Sequence, residues 1–413
     1  MSDAADVLVV GGGPAGASTA FQLARRGVRV RVLDRAAFPR SKPCAECLSP
    51  QASRILHDMD ALEDLERTGA QLRGMLVRSP DGACARGDYD ATHGFAPFRT
   101  RGLSVRRERL DALLLDRARA AGACVTERAR VVDVIRGPRG SVTGVATLDA
   151  NGARRDLSAA VVIGADGLRS IVARRVGLSR SAIWPRRISL VAHYRDVADV
   201  GDYGEMHIER DGFVGIADVG DGVTTVAAVF PRVRAHEMSG DRTRFLDRWL
   251  ASKPHLRARF ARASHVDAVT AVGPFASQAR RASHPGALLV GDAADFYDPF
   301  TGEGIYAALR GGELAAAAVF AGLNDSRAQD DAFRAYDESR RREFGAKWRV
   351  ERLIACGVAL APIANRAVGS LRADKRLADL LVGVTGDFVP ARRVLQFDYL
   401  ARLFVRSAPA TWQ

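Results

Sequence analysis

Apolar runs and helical patterns alternate along the first part of the chain, and this order predicts parallel strands connected by helices. Residues 6–10 form an apolar run after a single aspartate, which is typical of a strand buried on both faces. A helical pattern continues through Phe21 and Leu23 until Gly27, a residue type that ends helices in the left-handed conformation. Residues 28–33, 161–163 and 288–290 predict three further strands.

The middle of the chain has a different pattern, which predicts an antiparallel sheet. Strands are predicted over residues 206–208, 212–219 and 223–230, separated by Asp-Gly turns. A smaller antiparallel β segment is predicted over residues 131–148, with a turn at 151–152. The region 331–413 has a helical pattern. The fold class is therefore predicted to be α/β, with a Rossmann-like nucleotide-binding domain, an inserted, mostly antiparallel β-sheet domain and a helical C-terminal region.

The turn after the first strand contains Gly11, Gly13 and Gly16 in the spacing G-x-G-x-x-G, the fingerprint of dinucleotide-binding βαβ units. Gly11 permits the turn, Gly13 lets the backbone approach a pyrophosphate, and Gly16 lets helix and strand pack closely. Asp34, at the end of the second strand, is predicted to accept hydrogen bonds from a ribose. This segment alone leaves NAD, FAD and a glycine turn without a ligand open.

Two later turns favour FAD. Asp166 and Gly167 follow one predicted strand, and Gly291 and Asp292 follow another; ligands in this architecture bind where parallel strands end. A loop over residues 299–304 precedes a helix predicted over 305–320, whose N-terminus would favour a reduced, negatively charged flavin. Turn formation and helix capping are the alternative roles of the two aspartates.

Composition and charge limit the binding partners and the cellular compartment that are expected for this protein. The net charge of +13 is carried almost wholly by arginines spread along the chain, so no nucleic-acid partner is expected. A cytoplasmic protein is expected because no signal peptide precedes the first strand, the apolar stretch 353–362 is shorter than the ~20 residues of a membrane span, and five cysteines fit a reduced cytosol. The basic stretch 340–349 favours a solvated helix face over peripheral contact with the inner face of a membrane. Oligomeric state is not predicted.

The three motifs together resemble those of the p-hydroxybenzoate hydroxylase-type flavoproteins, over roughly residues 1–330. Residues 42–50 (KPCAECLSP) and 299–306 (PFTGEGIY) are most similar to the geranylgeranyl reductase branch of that group. The resemblance implies an FAD-dependent oxidoreductase. NAD(P)H is expected as a transient electron donor, because the chain has no separate nicotinamide-binding fingerprint.

The resemblance also implies which residues bind the cofactor. The glycine loop would hold the pyrophosphate, Asp34 the ribose and Asp292 the ribityl chain, while Arg107 matches a cofactor-contacting arginine. The full implied set is Gly11, Gly13, Pro14, Ala15, Gly16, Asp34, Arg35, Cys44, Ala45, Arg107, Asp166, Gly167, Gly291, Asp292, Pro299, Gly302, Glu303, Gly304 and Ile305.

One strand departs from the reductase branch. Its Tyr-x-Trp-x-Phe-Pro-like strand corresponds here to residues 213–218, which read FVGIAD without Trp or Pro. A hydrophobic small-molecule substrate is still expected, with phenolic, polyketide and quinone-like compounds open beside prenyl lipids. The candidate substrate contacts on the predicted sheet are Phe213, His193, Tyr203 and His207, the last three with a structural role as the favoured alternative.

The candidate catalytic residues are Cys44, Glu46 and Glu303, which the resemblance places near the flavin. A carboxyl group there can act as proton donor if burial moves its pKa toward the working pH. Cys44 and Cys47 form a C-x-x-C pair, for which a redox dithiol, a metal pair and a chance pairing are open. Chance is favoured, and no metal site is expected because a second ligand pair is absent from the sequence.

The predicted FAD-binding domain is discontinuous, over residues 1–75, 100–180 and 270–330. The substrate domain covers 76–99 and 181–269, and the helical region covers 331–413. The predicted function is NAD(P)H-dependent reduction of C=C bonds of a prenyl or related lipid. The alternative is a monooxygenase that hydroxylates an aromatic, polyketide or quinone-like substrate, and a third reading is a non-catalytic prenyl-protein carrier on the same fold.

Overall fold

The computed structural model describes residues 5–181, 184, 186–323 and 325–404, so the end of the predicted helical region lies outside the described residues. Its strands are β1 (Val7–Val10), β2 (Val30–Leu33), β3 (Cys47–Leu48), β4 (Ala70–Leu72), β5 (Gly74–Arg78), β6 (Cys84–Asp88), β7 (Gly102–Ser104), β8 (Cys124–Thr126), β9 (Arg130–Arg136), β10 (Val142–Leu148), β11 (Arg154–Ser158), β12 (Val161–Gly164), β13 (Arg187–Arg195), β14 (Tyr203–Glu209), β15 (Gly212–Asp218), β16 (Val223–Pro231), β17 (Ser264–His265), β18 (Thr270–Val272), β19 (Ser277–Gln278), β20 (Ser283–His284), β21 (Ala287–Leu289) and β22 (Asp295–Phe296). Its α-helices are α1 (Pro14–Ala24), α2 (Pro50–Asp58), α3 (Leu62–Glu66), α4 (Arg107–Ala120), α5 (Ile171–Arg175), α6 (Arg242–Ala251), α7 (Pro254–Arg257), α8 (Gly304–Gly322), α9 (Ser326–Val358), α10 (Ala361–Ala373), α11 (Lys375–Thr385) and α12 (Phe397–Phe404).

A six-stranded sheet with the order β20-β21-β12-β1-β2-β8 forms the nucleotide-binding layer. The strands from β21 to β8 run parallel, with Val9 opposite both Ile163 and Val32. These three side chains are completely buried, which explains the apolar runs that predicted the strands. Helices α1 and α8 pack against each other beside this sheet, where Ser18 Oγ donates to the carbonyl of Leu309 at 2.8 Å. The predicted α/β fold class is confirmed.

The second large sheet carries the antiparallel strands predicted from the middle of the chain. Its order is β17-β13-β16-β15-β14-β5-β6, with β18 also paired to β13. One face packs on α6 through Leu246 and Trp249, and the opposite face looks toward the nucleotide-binding layer. Strand β5 joins β14 in parallel register from residue 74, so the predicted domain boundary at residue 75 falls inside a strand. The other boundaries stay a prediction.

The C-terminal helices cover the β5–β6 edge of this sheet. At Gly87 of β6 an added Cβ would lie 2.6 Å from a methyl group of Val382 in α11, so a glycine there permits close helix–sheet packing. No single helix in the described residues is both long and apolar enough to cross a bilayer. Within the part of the chain that the structure describes, α9 and α10 taken together, from Arg327 to Ala373 with a bend of 115°, pass that test of length and composition.

Helix α9 corrects one expectation from the sequence. The basic stretch 340–349 was expected to form a solvated helix face, but Arg340 is buried and Lys347 has a side chain only 12% exposed. Arg341, Arg342 and Arg349 are exposed. The 33-residue helix has one face against the protein and one in water. Positions 340 and 347 lie on the face against the protein, and positions 341 and 342 do not share that face.

Candidate active site

A cavity of about 490 Å³ lies between the carboxyl ends of the parallel strands and the antiparallel sheet. Loops and strand ends of the nucleotide-binding layer, strands of the antiparallel sheet and helix α9 line it. The predicted site residues that line it are Gly13, Pro14, Ala15, Arg35, Cys44, Ala45, Glu46, Arg107, Asp166, Gly167, Phe213, Gly291, Asp292, Pro299, Gly302, Glu303, Gly304 and Ile305. The fold therefore brings together most of the residues that the sequence motifs singled out.

The glycine loop leaves no room for side chains at two positions. A Cβ at Gly16 would lie 1.8 Å from the carbonyl oxygen of Gly11, and Gly11 itself has φ +102° with the carbonyl of Ala165 in the way. Helix α1 then begins at Pro14 without a side-chain cap and without an acidic residue in its first turn, although that turn is buried. Buried backbone N–H groups at a positive helix end fit a phosphate group.

Asp34 is held by the backbone of the glycine loop, and its contact with a ribose stays a prediction. Its Oδ2 accepts a hydrogen bond from the Gly12 N–H at 2.7 Å, and its Oδ1 accepts one from the Ala36 N–H at 2.8 Å. The carboxylate is buried and does not line the cavity. Because both oxygens are held by backbone, Asp34 fixes the shape of the glycine loop, and the neighbouring Arg35 is the residue of this strand end that reaches the cavity.

Asp166 presents an unpartnered oxygen. Its Oδ2 accepts from the Ile171 N–H at 2.6 Å at the start of α5, but its buried Oδ1 accepts no hydrogen bond from the described residues. Burial raises the pKa of this carboxyl group above its ordinary value. A buried acceptor without a donor costs free energy, so a cofactor hydroxyl group at this point would complete the site.

Charged side chains concentrate at one end of the cavity. Buried Arg107 donates to both oxygens of Asp111 at 2.8 Å, and this carboxylate keeps the pKa of Arg107 raised against the opposing effect of burial. Burial lowers the pKa of Lys42. Burial also raises the pKa of Asp292, and the positive charges of Lys42 and Arg107 only partly counteract this rise. Cations and a buried carboxylate at one end match the polar part of a flavin dinucleotide.

The loop before helix α8 opens toward the cavity. Gly302 has φ +72° and nothing within 4 Å of an added Cβ, and α8 starts after Glu303 without a side-chain cap. Lys347 lies 3.8 Å from Glu303 and forms an ion pair with fully buried Asp387. Burial raises the pKa of Glu303, and Lys347 opposes this shift. The uncapped α8 N-terminus fits the anionic edge of a reduced flavin, with Glu303 as a candidate acid beside it.

Helix α9 supplies cavity residues that the sequence reasoning missed. The side chains of Arg340, Phe344, Lys347, Trp348 and Glu351 line the cavity. Arg340 forms an ion pair with Asp295, Trp348 Nε1 donates to the same carboxylate at 2.9 Å, and Glu351 accepts from the Asp298 N–H at 3.1 Å. The spacing 340, 344, 347, 351 places these residues on one helix face, and that spacing was the available signal.

The candidate substrate contacts separate into two groups. Phe213 lines the cavity, and His193 projects from the same sheet face but is held by Glu46 and Asp267. Tyr203 and His207 do not line the cavity, which agrees with the structural role favoured for them. Tyr203 donates to Asp88 at 2.5 Å, and His207 contacts Glu205 at 2.7 Å and stacks on His255 of α7. In β14 the alternate residues, including Met206, face the cavity.

Cys47 of the cysteine pair is a poorly ionised thiol. Both cysteines are free thiols. Cys44 Sγ accepts from the Glu46 N–H at 3.3 Å, and the Cys47 thiol donates to the Ala45 carbonyl at 3.4 Å. Burial raises the pKa of Cys47 to about 12, which keeps the thiolate scarce. Among the described residues, no group of three His, Cys, Asp or Glu side chains is placed to hold a metal ion.

A second cavity of about 190 Å³ continues along the same face of the antiparallel sheet. Met206 and Thr301 line both cavities. The floor of the second cavity is formed by strands β5, β6 and β14, and its walls by helices α9 to α12. The floor and the walls are almost wholly apolar, with side chains such as Met75 and Ile208 in the floor and Val350 and Val368 in the walls.

Comparison with known proteins agrees with this geometry. The FAD binding domain family matches residues 4–350. The digeranylgeranylglycerophospholipid reductase of Methanosarcina mazei is 28% identical over 78% of this chain and 77% of its own length. The myxobacterial FAD-dependent halogenase CndH superposes with a TM-score of 0.79 at 24% identity, over 86% of this chain and 83% of its own.

A third similar protein is PqsL of Pseudomonas aeruginosa, named a probable FAD-dependent monooxygenase. It superposes with a TM-score of 0.66 at 23% identity, over 91% of this chain and 98% of its own. The family match and three features of the site indicate FAD as the cofactor. These features are the glycine loop, the unpartnered Asp166 oxygen and the two uncapped helix N-termini. The chain therefore belongs to the FAD binding domain family, as an FAD-dependent flavoprotein of the p-hydroxybenzoate hydroxylase-type group.

Proposed function

We propose that the protein uses NAD(P)H to reduce a C=C bond in an elongated apolar substrate, a prenyl or related lipid. The observation that carries this proposal is the second cavity, which extends the flavin cavity past Met206 and is walled by aliphatic side chains. Each methylene group moved from water into such walls contributes about 0.8 kcal/mol. A chain of several isoprene units would gain far more there than a small phenolic acid.

The chain's own residues provide what such a reduction needs. Bound FAD would supply two-electron transfer between the nicotinamide and the substrate. The first turns of α1 and α8 would hold the anionic parts of the cofactor with backbone N–H groups. Cys44, Glu46 and Glu303 line the same cavity, and one of these groups would give the second carbon of the double bond its proton. Glu303 is suited to this because burial raises its pKa.

A lipid substrate also accounts for exposed apolar side chains beside the second cavity. Leu353, Ile363 and Phe404 line that cavity and are 55%, 38% and 42% exposed. Peripheral contact of this rim with a bilayer would let a lipid pass into the cavity without crossing water. Flotation with anionic phospholipid vesicles tests this contact, and loss of flotation in Leu353→Glu is the expected result. Equal flotation of this variant and the wild type would contradict it.

The second candidate function is a flavin monooxygenase. It is favoured by the similarity to CndH, an FAD-dependent halogenase, and to PqsL, since both names denote chemistry on small molecules at a flavin. In this reading the second cavity would hold the aliphatic part of a quinone-like or polyketide substrate. The two candidates share the cofactor residues and differ in whether oxygen or a C=C bond takes the electrons.

The test of the proposal is anaerobic turnover. FAD-loaded protein, NADPH or NADH and isoprenoid lipids of increasing length are combined, and the products are analysed by mass spectrometry. The expected product carries two additional hydrogen atoms. Products that form only with oxygen and carry an additional oxygen atom would establish the monooxygenase instead. Colourless protein that binds isoprenoids without changing them would support a non-catalytic carrier.

A further inference from the structure

Glu46, His193 and Asp267 form a continuous row of hydrogen bonds through the wall of the flavin cavity. His193 Nε2 lies 2.8 Å from Glu46 Oε2, and His193 Nδ1 lies 2.8 Å from Asp267 Oδ2. Three different segments supply the three residues: the loop before β3, strand β13 and the segment between β17 and β18. The row therefore joins the cofactor loop to the antiparallel sheet.

Exposure increases steadily along this row. Glu46 lines the cavity and its side chain is 2% exposed, the ring of His193 is 7% exposed, and the side chain of Asp267 is 31% exposed. One end thus faces the site of reduction, and the other end faces water. Hydrogen bonds that only held the segments together would not need to connect the cavity with solvent.

The ring of His193 lies between two acceptors. Only an imidazolium has N–H groups on both nitrogens, so this form donates to Glu46 and Asp267 together. Burial alone would lower the pKa of His193, but the hydrogen bonds and charges of Glu46 and Asp267 outweigh burial and raise it. The other charged groups at the row are Arg106, 2.9 Å from Asp267, and Glu108, 3.4 Å from Arg106. The Arg107 N–H donates to Glu46 Oε1 at 2.7 Å.

We propose that Glu46, His193 and Asp267 are a proton relay that carries protons from solvent to the flavin cavity. In the starting state His193 is an imidazolium between two accepting carboxylates. Its Nε2–H bond breaks as an O–H bond forms on Glu46, and Glu46 then gives this proton to the centre that is being reduced. A turn of the neutral ring brings the bare Nε2 to Asp267, which passes it a proton taken from solvent, and the reverse turn restores the imidazolium. One proton enters the cavity in each cycle and every residue returns to its starting state.

The relay requires bound FAD and not a particular substrate, so its test is independent of the proposed function. FAD-loaded protein is reduced anaerobically with reduced methyl viologen, a donor that gives electrons without protons, and a pH-indicator dye follows proton uptake at pH 8. In His193→Gln the uptake is expected to slow by about 10-fold or more, and added imidazole is expected to restore part of the rate. Uptake as fast as in the wild type would overturn the relay.

The chain offers a matched control on the same sheet. His207 is also buried and also bonded to a carboxylate, but it does not line the cavity. His207→Gln is therefore expected to take up protons at the wild-type rate. If both variants slow equally and imidazole restores neither, the effect is structural and the relay is wrong.

A second measurement needs no reduction at all. Nitrogen-15 spectra of labelled histidine identify His193 as the signal that His193→Gln lacks. Both ring nitrogens are expected to stay protonated to a higher pH than in a free histidine, and Asp267→Asn, at a partly exposed position, is expected to shift this protonation to lower pH. A ring that loses its second proton as a free histidine does, and that Asp267→Asn does not affect, would overturn the proposal.

Discussion

Gly16 has the tightest surroundings in the cofactor loop, and its replacement gives a direct test of that loop. In Gly16→Ala the new methyl group would lie 1.8 Å from the Gly11 carbonyl oxygen, so the loop must change shape. We expect at least about a 10-fold loss of FAD affinity, as a shift of 1.4 kcal/mol or more would produce, measured by flavin fluorescence on titration of apoprotein. The control is Gly345→Ala in α9, where nothing lies within 4 Å. Unchanged FAD affinity in Gly16→Ala would contradict the account.

Cys47 is expected to be an unreactive thiol. Because burial raises its pKa to about 12, the thiolate is nearly absent at pH 8, whereas exposed Cys124 is open to reagents. Iodoacetamide followed by peptide mass spectrometry is expected to label Cys124 much faster than Cys47. A Cys44–Cys47 disulfide that forms and breaks with the redox state of the flavin would refute this prediction.

Residue roles were predictable from the sequence where one backbone shape demands one residue type. Gly11 and Gly16 are such positions, because the turn and the close approach exclude side chains. Asp34 was placed in the correct loop, but its backbone partners were not predicted. Its partners are backbone N–H groups of residues 12 and 36, and which group a carboxylate faces depends on loop geometry that residue spacing does not encode.

Helix α9 shows how one element inserts charge into the cavity wall. Lys347 is the cation between Glu303 and buried Asp387. Lys347→Met would leave Asp387 without its partner, and removing one member of a buried pair costs about 3–5 kcal/mol. The free energy of unfolding in urea is expected to fall by that amount.

The matched control is Lys375, whose ion pairs with Asp88 and Asp379 are on the surface, with 60% of the lysine side chain exposed. Lys375→Met is expected to cost less than about 1 kcal/mol, since exposed pairs contribute little. Equal losses in the two variants would show that Lys347 is not a buried counter-charge.

Strands were more predictable than the direction of their side chains. The pattern of β14 to β16 predicted three strands and both turns, and the structure has all of them. The sequence pattern did not show that Met206 faces the cavity while His207 faces α7. The two faces of this sheet are both buried, so polarity does not distinguish them. Only the packing of the helices decides which face meets the cofactor.

At the scale of the whole molecule, the second cavity gives a test of substrate length. Ala367 of α10 lines this cavity, and Ala367→Phe would fill much of its 190 Å³. We expect activity to fall with long isoprenoids and to persist with short ones, measured as kcat/KM across a chain-length series. Ala373→Phe, at the exposed end of the same helix, is the control. Equal effects at every chain length would place the lipid elsewhere.

The central claim is that the flavin passes its electrons to a C=C bond and not to oxygen. The most direct test is a stopped-flow experiment in which anaerobically reduced protein is mixed either with oxygen, with and without hydrophobic phenols, or with a prenyl substrate. The account predicts slow, featureless reoxidation by oxygen and fast reoxidation by the prenyl substrate. A transient hydroperoxide absorption band that decays faster with a phenol would contradict it and establish a hydroxylase.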